Sequence, residues 1–321
     1  MISRRTFLKA SLAAVGFVRW ASDAFAKASQ PGTAVDFDVP VGACDCHVHA
    51  FGDPQRFPFS PARTYTPELA SVDELRALHR ALHISRVVVV QPSVYAADNS
   101  CMLDALRQLG ARARGVAVID GETSEAALDE MERQGTRGIR LNLTQGGVVD
   151  PSAARGRFKE AIERLKGRGL HIQIFTNPTI VEAIQDLVLA CPVPVVFDHF
   201  GGANAARGLT QPGFGALVNL VGSGKAYVKI SAAADQVSAR PPDYPDVAPL
   251  ARALVAANPK RILWGTNWPH PNGKSARSRT DISPLAQTDD GRVLNLLAEW
   301  VPDAPTRQAI LVENPARLYG F

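Results

Sequence analysis

Cysteine is scarce, with four in 321 residues, at Cys44, Cys46, Cys101 and Cys191. That scatter excludes a disulfide framework. Cys44 and Cys46 flank a single residue, so on a strand they share a face and lie too close together to bridge easily. Their spacing fits neither a zinc knuckle nor a C-x-x-C redox pair, and they read as small apolar fillers. Long hydrophobic runs are also missing. No stretch reaches about 18 uninterrupted apolar residues, so the sequence offers no membrane anchor. Internal repeats and low-complexity tracts are absent. No glycine-rich loop follows the first strand-like segment, which argues against a dinucleotide fold.

A surplus of charge is lacking too, once the start of the chain is set aside. Ser3-Arg4-Arg5-Thr6-Phe7-Leu8-Lys9 is a twin-arginine export signature. A short apolar run over 10–18 and a small-residue cleavage site at Ala24-Phe25-Ala26 follow it. Residues 1–26 are therefore expected to be a signal peptide read by the twin-arginine machinery, leaving a periplasmic domain over 27–321; a cytoplasmic helix with two chance arginines is the alternative. Of the chain's formal +4, this segment holds +3, from Arg4, Arg5, Lys9 and Arg19 against Asp23. A remainder near neutrality gives no electrostatic reason to expect nucleic acid or a membrane surface as partner.

What is present is a regular alternation. Runs rich in Val and Ile at 42–50, 86–91, 115–119, 138–143, 170–175, 193–199, 226–231 and 261–267 read as eight strands. Segments with apolar residues at three- and four-residue spacing lie between them, for example 72–83, 126–134, 158–166, 179–189 and 249–256. Eight nearly continuous apolar strands alternating with helices predict a single α/β domain, a (β/α)8 TIM barrel, with a doubly wound open sheet as the rival. Two connections are long, 51–71 and 270–290, and both are expected at the C-terminal mouth, where they would cover a pocket.

In such a barrel the strand ends converge. His47 and His49 alternate around Val48, so their imidazoles share a face. The same rim would gather Gln91, Ser93, Tyr95, Asp120, Arg140, Asn142, His199, Lys229, Ser231 and Asn267. Arg140, a cation within a buried strand, is the best candidate to clamp an anion. Asp45 shares the parity of the histidine pair and could orient an imidazole from below. Asp198 alternates with His199, and is expected to face the helices. His171 starts its strand and is expected at the closed end, in a structural role. His79 and His83, four apart on an outer helix, are expected to face solvent or neighbouring helices. His270 is equally suited to substrate contact and to loop packing.

These residues resemble the amidohydrolase superfamily, specifically the amidohydrolase-related group that includes the 2-pyrone-4,6-dicarboxylate lactonases. The likeness runs from about Gly42 to the C-terminus. It rests on Asp45-Cys46-His47-Val48-His49, Gln91-Pro92-Ser93-Val94-Tyr95, Gly138-Ile139-Arg140 and Asp198-His199-Phe200-Gly201. Trp264-Gly265-Thr266-Asn267-Trp268-Pro269-His270 and Glu313-Asn314-Pro315-Ala316 complete it. The resemblance implies the same barrel, with a first-strand histidine pair, a sixth-strand histidine and an eighth-strand aspartate around the hydrolytic water. Carried over, it implies His47, His49, His199 and Asn267 as catalytic residues, and Tyr65, Ser93 and Arg140 as contacts to a carboxylated substrate. Tyr95 and His270 join the substrate-binding candidates.

Two departures stand out. The fifth strand ends in Phe175-Thr176-Asn177, without the histidine that zinc-binding relatives add, and Asn267 occupies the place of the aspartate. An amide neither takes a proton from water nor helps to bind a cation at neutral pH. No cofactor is therefore expected. If a metal were held, it would be zinc or manganese on His47, His49 and His199. The resulting expectation is an exported hydrolase acting on the ester bond of a carboxylated lactone. A periplasmic binding protein for small acids, without turnover, and a metal-dependent aromatic-acid decarboxylase are the alternatives.

Overall fold

The computed structural model describes residues 28–144, 150–272 and 278–321. The proposed signal peptide, 1–26, lies outside the described residues, as does part of the second long connection. Eight parallel strands follow one another around one sheet. They are β1 Cys44–Val48, β2 Arg86–Val90, β3 Ala113–Ala117, β4 Thr136–Asn142, β5 His171–Phe175, β6 Val195–Phe197, β7 Ala226–Ser231 and β8 Ile262–Gly265. A helix comes after each: α1 Val72–Ala81, α2 Ser100–Leu109, α3 Glu125–Arg133, α4 Pro151–Leu165, α5 Pro178–Ala183, α6 Phe214–Gly222, α7 Ala248–Ala257 and α8 Asp290–Trp300. This is the expected TIM barrel, and all eight strand segments read from the sequence overlap a strand.

Local chemistry sets the helix starts. Ser71 caps α1 in a reciprocal box with Glu74, and Ser124 caps α3. Asp150 accepts from the Ala153 N–H, and Pro151 stands in the first turn. Cap and proline together start α4 seven residues earlier than the apolar spacing alone suggests. The long segment 179–189 is broken at Ile184 into α5 and a second short helix, Gln185–Ala190.

Strand residues are buried on both faces. Val88, Val90, Val116, Val196, Tyr227 and Leu263 pack inside the barrel with Cys44 and Cys46, and Tyr319 from the C-terminus joins them. Val87, Val89, Ile139, Ile172 and Val228 face the helices. The cysteines are thus apolar filler, as expected, and all four are free and buried. His171 lies at the closed end, its ring 5.2 Å from that of Tyr319. It fills the space left by Gly138, where a Cβ would come within 2.3 Å of the imidazole.

The seam between β1 and β8 shapes the site. Asp45 pairs with Val87 and Val48 with Val89, so Cys46 and His47 together stand opposite the single Val88. This β-bulge breaks the alternation. Cys46 and His47 both face inward, and Asp45 turns outward to the seam. There its carboxylate accepts from the N–H and Oγ1 of Thr266, at 3.0 and 2.6 Å, and lies 3.4 Å from His79 Nε2. Of His47 it meets the backbone N–H, at 3.1 Å, and not the ring, so the imidazole it stands beside is that of His79 rather than one of the first-strand pair. Of the two helix histidines, expected to face solvent or neighbouring helices, His79 is buried between Asp45 and Arg112, whereas His83 lies beyond the end of α1 and is exposed. Backbone bonds from His49 N–H to Trp268 O, 2.8 Å, and from Asn267 N–H to His47 O, 2.9 Å, continue the closure upward.

The bulge needs a glycine opposite it. A Cβ on Gly265 would lie 2.8 Å from the backbone nitrogen of His47 and 2.9 Å from its Cβ. Gly265→Ala is therefore expected to lower stability by about 1–3 kcal/mol in urea unfolding, the usual cost of overpacking. It should also reduce activity by displacing His47; unchanged stability would contradict the tight seam.

Candidate active site

Asp198 is the centre of the barrel's polar layer. Its Oδ2 accepts from Arg140 Nε at 3.0 Å and Gln173 Nε2 at 3.1 Å. Its Oδ1 lies 3.2 Å from His47 Nδ1 and 3.5 Å from Lys229 Nζ. The expectation that it faces the helices is corrected. Val196 already points inward, so Asp198, two residues on, does as well. His199 reaches the mouth only because it adopts φ 49°, followed by Phe200, Gly201 and Gly202, all at positive φ. Gly202 is required there, since a Cβ would sit 2.0 Å from the Thr176 carbonyl oxygen.

Burial alone would raise the Asp198 pKa, but His47, Lys229 and Arg140 hold it well below the usual carboxylate range. For Lys229, burial outweighs the attraction of Asp198 and lowers its pKa. With two cations on one carboxylate, the layer carries a net positive charge toward the mouth.

Three imidazoles stand above this layer. The ring of His47 is 4.5 Å from that of His199 and 5.0 Å from that of His49. His49 Nδ1 lies 2.8 Å from the Val90 carbonyl oxygen, an acceptor, so its proton is on Nδ1 and Nε2 keeps the lone pair. His47 Nδ1 lies 3.2 Å from Asp198 Oδ1 and 3.3 Å from Lys229 Nζ, an acceptor and a donor at nearly equal reach. His47 Nε2 is buried without a hydrogen-bond partner among the described residues. His199 Nδ1 is 2.8 Å from Ser231 Oγ. Burial, helped by the nearby cations, lowers all three pKa values: His49 to about 3, His199 to about 4 and His47 well below 6.5. All three are neutral at neutral pH.

The mouth encloses about 280 Å³, with His49, Tyr65, Ser93, Arg140, His199 and Asn267 on its walls. Tyr65 is hydrogen-bonded to Ser93, and burial pushes its phenol up to about 12. Arg140 packs its guanidinium over the Phe175 ring, 5.1 Å from the centroid. The two long connections meet over this pocket, where Thr66–Pro67 and Ile282–Ser283 pair as a small parallel ribbon.

Other sequence candidates lie elsewhere. Tyr95 is buried beneath the first long connection, its hydroxyl accepting from Gly52 N–H at 3.1 Å and its ring against Phe59. It anchors that loop rather than lining the pocket. Gln91 holds its own loop through Ala96 O and Asp98 O, and Asp120 closes a surface turn with Thr123. His270 is not among the pocket walls. Its Nδ1 is 2.7 Å from Asp235 and its Nε2 3.0 Å from Asp290. Burial opposes its charge, but the two carboxylates outweigh burial and raise its pKa well above 6.5.

Asp235 is the site residue that the sequence reading passes over. It lines the pocket from the turn after β7, with Oδ2 2.9 Å from Asn267 Nδ2. Burial would raise its pKa, but His270 and the Asn267 hydrogen bond hold it below the usual carboxylate range.

Among the described residues, His47, Asp198 and His199 place donor atoms within 4.8 Å of one another, a set that could hold a metal ion. It differs from the expected trio in having Asp198 in place of His49. The surroundings do not fit a dication. The carboxylate already carries Arg140 and Lys229, and Lys229 also occupies His47 Nδ1, so a metal would enter a positively charged layer.

Comparison with known proteins agrees with this fold. The amidohydrolase family model matches residues 44–321. A 2-pyrone-4,6-dicarboxylate hydrolase of Comamonas testosteroni is 34% identical over 312 residues, covering 95% of this chain and 96% of the relative. A 4-sulfomuconolactone hydrolase of Rhizobium radiobacter is 34% identical over 291 residues, 89% of this chain and 92% of the relative. A solved structure from Pseudomonas putida, provisionally assigned as a 2-pyrone-4,6-dicarboxylic acid hydrolase, superposes with a TM-score of 0.70 at 31% identity, over 88% of this chain and 98% of that one. The chain belongs to the amidohydrolase family and is a hydrolase.

Proposed function

We propose that this enzyme hydrolyses the ring ester of a small lactone that carries a carboxylate, without a metal ion. The observation that carries this reading is the pocket itself, with neutral imidazoles on one wall and the Arg140 cation, Tyr65 and Ser93 on another, within about 280 Å³. Arg140, Tyr65 and Ser93 can bind the acid group, and the net positive layer beneath them attracts it. The His47 tautomer with its proton on Nε2 is suited to donate to the lactone carbonyl oxygen as negative charge gathers there. His49 Nε2, with its lone pair, is suited to hold the water. Water adds to the carbonyl carbon, the ring C–O bond breaks, and the ring oxygen leaves protonated as the hydroxyl of a hydroxy acid. The names of the two curated relatives, both lactone-type hydrolases, support the reaction class. We also propose that the enzyme works in the periplasm, a reading supported by the twin-arginine signature at Ser3 to Lys9.

A panel of carboxylated lactones, followed by base uptake at constant pH, tests the activity. The expected outcome is turnover that survives chelators and falls by about 10²–10⁴ in kcat for His199→Ala, the range set by loss of a positioned imidazole. Turnover indifferent to His199→Ala, or lost on chelation and restored by zinc or manganese, would contradict the reading. The pH profile is a second test. Because burial lowers the imidazole pKa values to about 3 and 4, these rings stay neutral as pH falls past 6.5 and protonate only near pH 4. The acid limb of kcat/KM is therefore expected below pH 5; a midpoint near 6.5 would contradict the assigned neutral, buried state.

A further inference from the structure

Asp235 is the one carboxylate among the described residues that line the pocket. At the end of β7, Ala232 takes φ 56° and swings the turn Ala233–Val237 over the mouth. The Asp235 side chain is 8% exposed. On one side it lines the pocket, and on the other a second cavity of about 610 Å³, shared with Tyr244 and Thr288. Its Oδ2 lies one hydrogen bond, 2.9 Å, from the amide of Asn267. We propose that Asp235 is the general base of the hydrolysis, a carboxylate supplied from the β7 turn to the place where the family's carboxylate would stand at the end of β8. This rests on the lactone reading given above.

Three features favour it. An aspartate at 267 would set two carboxylates against each other at hydrogen-bond distance, whereas the Asn267 amide donates to Asp235. Asn267 is then the complement of Asp235 rather than a lost catalytic group. His270, clamped between Asp235 and Asp290, supplies the positive partner that keeps Asp235 ionised and turned into place; it is a positioning residue. The remaining titratable groups facing Asp235 are His199 and Tyr244. Among the described residues on the pocket walls Asp235 is the one carboxylate, so it alone there brings a negative charge to the attacking water. In the step, a water proton passes to the Asp235 carboxylate as the water oxygen bonds to the carbonyl carbon. When the ring C–O bond breaks, the leaving oxygen takes that proton, Asp235 is restored, and lactone plus water has become hydroxy acid.

Steady-state kinetics on a lactone turned over by the wild type compare Asp235→Asn with the double variant Asp235→Asn/Asn267→Asp. Asp235→Asn is expected to lower kcat by about 10²–10⁴ with KM within about threefold, the pattern of a lost base. The double variant, which returns a carboxylate from the facing position, is expected to regain tenfold or more in kcat. Asp235→Asn that keeps its kcat, or that raises KM alone, overturns the assignment. Circular dichroism reports folding. If Asp235→Asn does not fold, the double variant decides, since a folded double variant without turnover also overturns it. A wild type inactive on every lactone overturns the lactone reading, and the assignment with it. An active wild type with an indifferent Asp235→Asn overturns the assignment alone.

Discussion

The site depends on one buried carboxylate. Asp198 holds Arg140, Gln173, Lys229 and His47 in a single layer across the barrel. Each of these groups would be costly to bury alone, and each is tolerated because the others are there. Lys229 and Asp198 both reach His47 Nδ1, and Arg140 is held with its guanidinium over Phe175 at the pocket wall. Structural charge pairing and substrate recognition are therefore one network. Its excess of positive charge is what an anionic lactone would meet, and what a divalent metal would have to overcome.

Two backbone irregularities bring the reacting groups above this layer. The bulge at Cys46 and His47 turns a second residue of β1 inward, with Gly265 making room for it. The left-handed run from His199 to Gly202 lets Asp198 and His199 both face the barrel axis. A regular strand would send one of each pair outward. Function is concentrated where the period-two pattern fails.

The same irregularities mark how far the sequence could be read. The strands were legible because parallel strands buried on both faces form continuous Val- and Ile-rich runs. His47, His49, His199 and Arg140 were legible because they are polar residues at the ends or in the middle of such runs. Asp45 and Asp198 were misplaced because alternation assumes regular strands. Only Gly265, and the Gly201-Gly202 pair, hinted otherwise. Tyr95 and His270 were drawn to the pocket by their position, but partners far away in sequence, Gly52, Asp235 and Asp290, hold them elsewhere. Asp235 was missed because it lies beyond a strand end in an irregular turn, where no periodicity points.

The most direct test of the Asp198-centred layer is equilibrium urea unfolding of Asp198→Asn beside the wild type. The amide keeps the shape but removes the charge that pairs Arg140 and Lys229. Leaving two buried cations uncompensated is expected to cost about 3–5 kcal/mol. A loss below about 0.5 kcal/mol, within the range of an ordinary surface substitution, would contradict the claim that this carboxylate holds the site together.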